Sequence, residues 1–156
     1  MWYSIENEPL NRIDMQLSLL QKSELTPGMK QRMRLLYGQL NSEIKTLDLE
    51  EVLDGSDPTL VIYAEEQDEI VGMASMAFYK VLSGYKGWIE DVVVHTDHRG
   101  KGIGKKMMQA LIEEGKQRAL DEMLLFTGHH RLPAIQLYSG LGFQKKDSGL
   151  YRLQLK

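Results

Sequence analysis

The chain has 156 residues, enough for one domain with a substantial core. A net charge of -3 disfavours a sequence-independent nucleic-acid binder, and the lack of cysteine excludes disulfides, thiolate metal sites and a cysteine nucleophile. No apolar run approaches the roughly 18–20 residues that cross a bilayer, and the acidic N-terminus does not resemble a signal peptide. We therefore expect one cytoplasmic domain over residues 1–156, with residues 1–12 as an unassigned extension.

Hydrophobic spacing and capping residues predict that the chain begins with a strand and two helices. A strand is expected at Met15–Gln21, because alternate residues there are apolar. Thr26 is a typical helix cap, and the helix that follows should span Pro27–Leu40. A second, short helix is expected at Leu47–Leu53, with Thr46 as its cap.

The middle of the chain predicts strands joined by short turns. Thr59–Glu65 and Ile70–Leu82 read as two strands of a hairpin, with Gln67-Asp68 in the turn between them. Ser83–Gly87 contains two glycines and is expected to be a loop. The next apolar run, Trp88–Val94, is expected to be a further strand of the same sheet.

The last third alternates helices and strands. This order predicts an α/β fold, with a central mixed sheet covered by helices on both faces. The expected elements are a helix that ends near Ala119, a buried strand at Asp121–Thr127, a helix from Pro133 to about Gly140 or Gly142, and a final strand pair at Phe143–Lys145 and Leu150–Leu155.

A strand, a glycine-spaced basic loop and a helix follow one another within Trp88–Met108. In the loop, Arg99–Gly104, glycines alternate with other residues, so the backbone can approach an anion closely, and the helix N-terminus adds free N–H groups. A Walker loop would need Ser or Thr where Lys106 stands, and a dinucleotide fingerprint would need glycine where Lys105 stands. The segment therefore predicts a phosphate-binding loop of another kind.

The pattern Arg99-x-x-Gly102-x-Gly104 after a valine-rich strand resembles the acetyl-CoA motif of the GNAT superfamily of N-acetyltransferases. A second segment, Ala134–Phe143, is similar to that family's A-x-x-L-Y-x-x-x-G-F box. The predicted order of elements also looks like that family's fold, a mixed and mostly antiparallel sheet. The resemblance extends over Met15–Leu155 and implies a single N-acetyltransferase domain that uses acetyl-CoA and no metal.

The resemblance also implies which residues bind acetyl-CoA. The loop would hold the pyrophosphate, although lysines at this position are also typical of a solvated helix face. The backbone of the preceding strand would pair with the pantetheine arm and polarise the thioester carbonyl. The residues implied are Val92, Val93, Val94, Arg99, Gly100, Lys101, Gly102, Ile103, Gly104 and Lys105.

Tyr138 is implied to be the acid that gives a proton to the CoA thiolate. A phenol has a usual pKa near 10 and therefore stays protonated at pH 7. The alternative is an aromatic ring that only packs in the core. Arg131 departs from the family pattern, because relatives often carry asparagine three positions before the alanine of the box, and this puts one cofactor contact in doubt.

Glu90 is the expected base, because alternation places it on the inward face of its strand, where burial would raise its pKa. It could equally be a structural hydrogen-bond acceptor. Asp91 should face the opposite side and orient the substrate. His129 is a second candidate for substrate binding, although it and His130 are typical of a solvated loop.

These residues predict an N-acetyltransferase that transfers the acetyl group of acetyl-CoA to a primary amine by direct attack in a ternary complex. The wording GWIEDVVV resembles glucosamine-phosphate acetyltransferases, but amino-sugar phosphates, small amines and protein amines all stay open as acceptors. The alternative is a catalytically silent CoA-binding or sensing protein of the same fold. No nucleic-acid or membrane partner is expected, and the resemblance makes a homodimer possible.

Overall fold

The computed structural model of the chain describes residues 15–55 and 58–155, so the extension predicted at residues 1–12 lies outside the described residues. The chain divides into two units, Met1–Leu125 and Phe126–Lys156. Within the described ranges, no helix combines the length and the apolar character that a membrane span requires.

The described part of the first unit contains one five-stranded sheet in the order β1-β2-β3-β4-β5. Strands β1 to β4 pair in antiparallel fashion, and β5 lies parallel to β4. The predicted mixed and mostly antiparallel sheet is therefore confirmed. The strands are β1 (Gln16–Leu19), β2 (Thr59–Glu66), β3 (Glu69–Val81), β4 (Gly84–Val94) and β5 (Glu122–Leu124).

Two tight turns set the register of the central strands. Gln67 and Asp68 both have positive φ, 52° and 62°, as a two-residue hairpin turn requires, and the predicted turn is confirmed. The predicted loop Ser83–Gly87 is wrong, because β3 pairs with β4 from Val81 and Gly84 onward. Strand β4 therefore begins before Trp88, because the long β3 provides a pairing partner for Gly84–Gly87 as well.

Helices α1 (Pro27–Gly38) and α2 (Leu49–Val52) follow β1. The side chain of Thr26 accepts a backbone hydrogen bond from the first turn of α1, as predicted. Helix α2 is shorter than predicted, and its cap is Asp48 instead of Thr46. A carboxylate at this position accepts the same bond and also favours the positive end of the helix.

Helix α3 (Ile103–Gln117) packs on the sheet at a glycine in β3. A Cβ on Gly72 would lie 3.0 Å from Cγ2 of Ile103 and 3.0 Å from Sδ of Met107. The next residue, Met73, belongs to the core formed with α1. Because neighbouring strand residues point to opposite faces, α1 and α3 cover opposite faces of the sheet, as predicted. The core on the α1 face comprises Leu20, Met29, Met33, Leu36, Val61, Ile70, Met73 and Val93.

The second unit contains helix α4 (Leu132–Gly140), which ends in a Schellman motif. Gly142 has a φ of 93°, and the backbone N–H of Phe143 donates to the carbonyl oxygen of Tyr138 at 3.0 Å. The same turn brings the two aromatic rings edge to face, with centroids 6.1 Å apart. The glycine and phenylalanine of the predicted box therefore act together to end the helix behind the tyrosine.

The predicted strand pair at Phe143–Lys145 and Leu150–Leu155 is wrong, because residues 141–155 form turns and irregular backbone. Alternation of apolar and polar residues is not sufficient for a strand, since an isolated two-stranded ribbon is only marginally stable. The predicted strand Asp121–Thr127 is also shorter than expected. Strand β5 forms only where it pairs with Lys86, Gly87 and Trp88 of β4.

We predict that Gly72→Val lowers the free energy of unfolding by about 1–3 kcal/mol, because the new side chain would overpack the contact between β3 and α3. Urea unfolding at equilibrium measures this change. Gly38→Val is the matched control, because no atom lies within 4 Å of a Cβ added there. Equal stability of the two variants would contradict the proposed close approach of α3 to the sheet.

Candidate functional site

The loop between β4 and α3 leaves the helix N-terminus without a side-chain cap. Gly102 is the cap residue, with a φ of 80°, and Gly100 has a φ of 76°. A Cβ added at either glycine would meet no atom within 4 Å, so space lies open beside both. The helical ladder starts where Lys106 N donates to the carbonyl of Gly102. The preceding N–H groups therefore have no partner within the helix.

The loop is held by contacts to both neighbouring strands. Oε2 of the buried Glu66 lies 2.6 Å from Nδ1 of His98 and 3.9 Å from Nζ of Lys101. The contact between His98 and Glu66 lies outside hydrogen-bond geometry. Nε of Arg99 donates to the carbonyl oxygen of Val94 at 3.2 Å. These contacts fix the loop before any ligand binds, which reduces the ordering cost of binding.

The charges around the loop suit a polyanion. The first turn of α3 contains no acidic residue. Arg99, Lys101, Lys105 and Lys106 are all exposed and surround the uncapped amides. Free N–H groups, the positive end of a helix dipole and several cations are the features that bind phosphate groups. The loop predicted from the sequence thus has the chemistry needed to hold a diphosphate.

Strand β4 contains a bulge beside this loop. Ser75 of β3 pairs with Glu90, and Met73 pairs with Val93. The chain therefore advances by three residues in β4 where it advances by two in β3, which means that β4 contains one extra residue. The extra residue gives Asp91 a φ of 56°. Because the extra residue follows Glu90, Asp91 turns toward the α1 face on which Glu90 pairs with Ser75, and both acids lie near Tyr37 of α1. Glu90 is exposed, whereas Asp91 lines the cavity described below. The prediction that Asp91 faces the side opposite Glu90 is wrong, and Glu90, which was expected to point inward, is exposed.

The two carboxyl groups have environments that favour their protonated forms. Burial raises the pKa of Asp91, and a hydrogen bond from Oγ of Ser75 at 3.1 Å opposes this shift. Burial also raises the pKa of Glu90, and the charge of Asp91 raises it by a smaller amount. A 2.8 Å hydrogen bond from Nε1 of Trp88 to the Glu90 carboxylate lowers this pKa in part. The pKa of Tyr37 is raised by burial and then by both carboxylates. The phenol therefore lies close to both acids.

A cavity of about 230 Å³ lies between α1, the segment before α2 and the sheet. Most of its surface is apolar. Asp91 and Ser75 contribute polar groups from the sheet, and Arg34 and Tyr37 contribute them from α1. Apolar walls with a few polar groups are typical of sites for small molecules. The apolar lining includes Met33, Leu49, Val52, Val61 and Met73.

The end of β4 has an edge that β5 does not cover. Pairing between β4 and β5 stops at Trp88. On the other side, the N–H of His95 donates to the carbonyl of Val71 in β3 at 2.8 Å. In a strand, the backbone N–H and C=O groups of successive residues point to opposite sides. The N–H and C=O groups of Val92 and Val94 therefore point away from β3. Such an edge can accept an extended polar chain as an additional strand.

Tyr138 and His129 belong to the second unit. Tyr138 is partly buried, and burial raises the pKa of its phenol while the charge of Arg131 opposes that shift. The phenol therefore stays protonated at neutral pH, as an acid must. His129 is exposed and lies in a turn with His130.

The structure brings Glu90 and Asp91 together at the bulge and joins Arg99 to the end of the same strand. Sequence reasoning missed the polar cavity residues Arg34, Tyr37 and Ser75. The first two could have been found, because their spacing places them on one face of the predicted helix α1. Ser75 could have been singled out as a small hydroxyl residue within a mostly apolar stretch of β3.

Comparisons with known proteins agree with this geometry. The family described as "Acetyltransferase (GNAT) family" matches residues 27–143. The L-methionine sulfoximine/L-methionine sulfone acetyltransferase of Pseudomonas paraeruginosa is 31% identical over 86 residues, which are 54% of this chain and 50% of that protein. The L-amino acid N-acyltransferase MnaT of Escherichia coli is 31% identical over 84 residues, 53% of this chain and 49% of that protein.

This chain thus spans about half the length of the curated relatives that it matches. Among solved structures, an acetyltransferase of Trypanosoma brucei superposes with a TM-score of 0.74 and 26% identity, covering 91% of this chain and all of the other. The family match extends from the first residue of α1, Pro27, to the last residue of the box, Phe143, and includes the loop, the bulge and the cavity helix. The chain therefore belongs to the acetyltransferase (GNAT) family.

Proposed function

We propose that this chain is an N-acetyltransferase that uses acetyl-CoA to acetylate a primary amine. The proposal rests mainly on one observation in a member of this family: the basic N-terminus of α3 has no side-chain cap, and it follows the end of β4 that β5 does not cover. The two relatives are named for the transfer of acetyl or acyl groups to amino acids or their analogues, which favours a small amine over a protein amine.

Acetyl-CoA supplies an acetyl group activated as a thioester. The amides from Gly100 to Lys105, with Arg99 and Lys101, would hold its diphosphate. The outward backbone groups of Val92 and Val94 would pair with the pantetheine arm. A backbone N–H of this edge would then stabilise the charge that develops on the thioester carbonyl oxygen. Val93, which is 4% exposed, anchors this edge in the core.

On the acceptor side, Asp91 would bind the ammonium in the cavity and Glu90 would remove one proton from it. The amine nitrogen then forms a bond to the acetyl carbon as the carbon–sulfur bond breaks. The sulfur leaves with the bonding electrons, and Tyr138 would supply its proton. The nitrogen, which carries an excess proton after its attack, would return that proton to the Tyr138 phenolate, so that an amide and a neutral phenol result. A base with a raised pKa accepts a proton from an ammonium more readily than an ordinary carboxylate does, so the pKa shift of Glu90 supports this role.

We predict that Gly102→Glu abolishes acetyl-CoA binding, because a carboxylate would occupy the space where the diphosphate meets the amides. Isothermal titration calorimetry measures the loss. Gly55→Glu is a matched control, because Gly55 also has a positive φ, 84°, and open space around its Cβ position. It introduces the same charge and the same backbone strain, and we expect it to bind normally. Normal binding by Gly102→Glu would contradict the phosphate role of the loop.

We predict that Tyr138→Phe lowers kcat by about a hundredfold or more, because the leaving sulfur loses its proton donor. The ring contact with Phe143 is kept, so stability and acetyl-CoA affinity should change little. Tyr151→Phe, at a residue that is 96% exposed, is the control in the thiol-release assay. Unchanged kcat in Tyr138→Phe would exclude the acid role, and wild-type binding of acetyl-CoA without turnover on any amine would favour the silent CoA-binding alternative.

We predict that kcat/KM rises with pH through the pKa of Glu90, because only the carboxylate form acts as a base. Since that pKa is raised, the rise should occur at higher pH than for a free glutamate. Glu90→Gln should lose this rise with pH (the pH limb), and its kcat/KM should fall by about 10²–10⁴-fold. Asp91→Asn is the comparison variant, and it should raise KM for the amine but keep the pH limb. A limb that persists in Glu90→Gln and vanishes in Asp91→Asn would assign the base to Asp91.

A further inference from the structure

Three basic side chains line the cavity under α1, Lys30, Arg34 and Lys45, and Arg34 forms no ion pair with any other described residue. Nζ of Lys30 is neutralised by Asp48 at 3.1 Å and by Glu50 at 2.6 Å. Arg34, one helical turn further along α1, lines the same cavity but makes no ion pair within 4.0 Å in the described ranges. Its charge makes only the smallest contribution to the lowered pKa of Asp48. The cavity therefore keeps a guanidinium free to bind an anion.

The same cavity contains Asp91, an acidic side chain that forms no ion pair among the described residues. Within the part of the chain that the structure describes, Asp91 makes its one side-chain hydrogen bond with Ser75, and no cation lies within 4.0 Å of it. Arg34 and Asp91 thus line one small space without contacting each other. Opposite charges held apart in this way leave room for a ligand that carries both complementary charges.

The size and lining of the cavity restrict that ligand further. Its volume of about 230 Å³ lies below the roughly 300–1,000 Å³ of sites for drug-sized ligands. This favours a small molecule over a peptide. Lys30, Lys45, Thr46 and Asp48 add polar groups to the lining, but most of the surface is apolar and includes Met33, Val61 and Met73. This surface favours an apolar side chain on the ligand, because contact with it would leave a charged side chain desolvated without compensation.

We infer that the acceptor is an α-amino acid with an apolar side chain, whose ammonium group binds Asp91 and whose carboxylate binds Arg34. This inference rests on the proposed acetyl transfer and names its substrate class. Arginine suits the role because its planar guanidinium donates two parallel hydrogen bonds to a carboxylate. Arg34 is therefore the residue that determines specificity, and it takes no part in the bond-making steps.

The test compares L-leucine with 3-methylbutylamine, which is leucine without its carboxylate. The wild-type protein should prefer leucine in kcat/KM. Arg34→Gln should raise the KM for leucine roughly ten- to hundredfold and reduce the preference by the same factor. Arg32→Gln is the matched control on the same helix, because Arg32 donates to the carbonyl of Asp68 and does not line the cavity. It should keep the wild-type preference.

Three outcomes would overturn the inference. The first is equal use of leucine and 3-methylbutylamine by the wild-type protein, and the second is a preference that Arg34→Gln leaves intact. The third is faster turnover of glucosamine 6-phosphate than of leucine, which would reassign Arg34 to a phosphate. Calorimetry with acetyl-CoA separates these results from a failure of the proposed function, since a protein that binds no acetyl-CoA would fail at that earlier step.

Discussion

The extra residue at Asp91 determines where the acidic groups of the site lie. A regular β4 would have directed Glu90 into the core and Asp91 to the opposite face. With the bulge, the exposed Glu90 and the cavity-lining Asp91 are adjacent acids that both lie near Tyr37 of α1. A left-handed φ on a non-glycine residue costs about 1–3 kcal/mol. The hydrogen bond from Ser75 to the Asp91 carboxylate offsets part of this cost.

The same strand connects the two regions of the first unit that we propose for acetyl-CoA and for the acceptor. Its end carries the uncovered backbone edge, and its last carbonyl, that of Val94, holds Arg99 of the loop. A second connection runs from the loop to α1, where N and Oγ1 of Thr96 both donate to Oε1 of Gln39 at 2.9 Å. Since α1 also carries Arg34, helix α1 connects the wall of the proposed acceptor cavity to the proposed phosphate loop.

Local signals in the sequence were sufficient for much of this architecture. Thr26 and Pro27 begin α1, and the alternating glycines of the loop mark the positive-φ turn before α3. The Gln67-Asp68 turn fixed one hairpin, and the A-x-x-L-Y box identified the end of α4. These features depend on neighbours within a few residues, so spacing and residue type reveal them.

Features imposed by tertiary contacts were not predictable in this way. Nothing in the letters around Asp91 indicates a bulge, because its positive φ is maintained by pairing with β3 and by Ser75. The length of β5 depends on how far β4 offers a partner, and the final alternating segment had no described partner to make it a strand. Arg34 could not be singled out from the sequence, because only folding brings it into the same cavity as Asp91.

The most direct test of the account is a crystal structure of the protein with CoA. The account predicts that the diphosphate lies within hydrogen-bond distance, about 2.7–3.2 Å, of the backbone nitrogens between Gly100 and Lys105. It also predicts that the pantetheine arm runs along the outward backbone groups of Val92 and Val94. Density for CoA elsewhere, with these amides bound only to solvent, would contradict it.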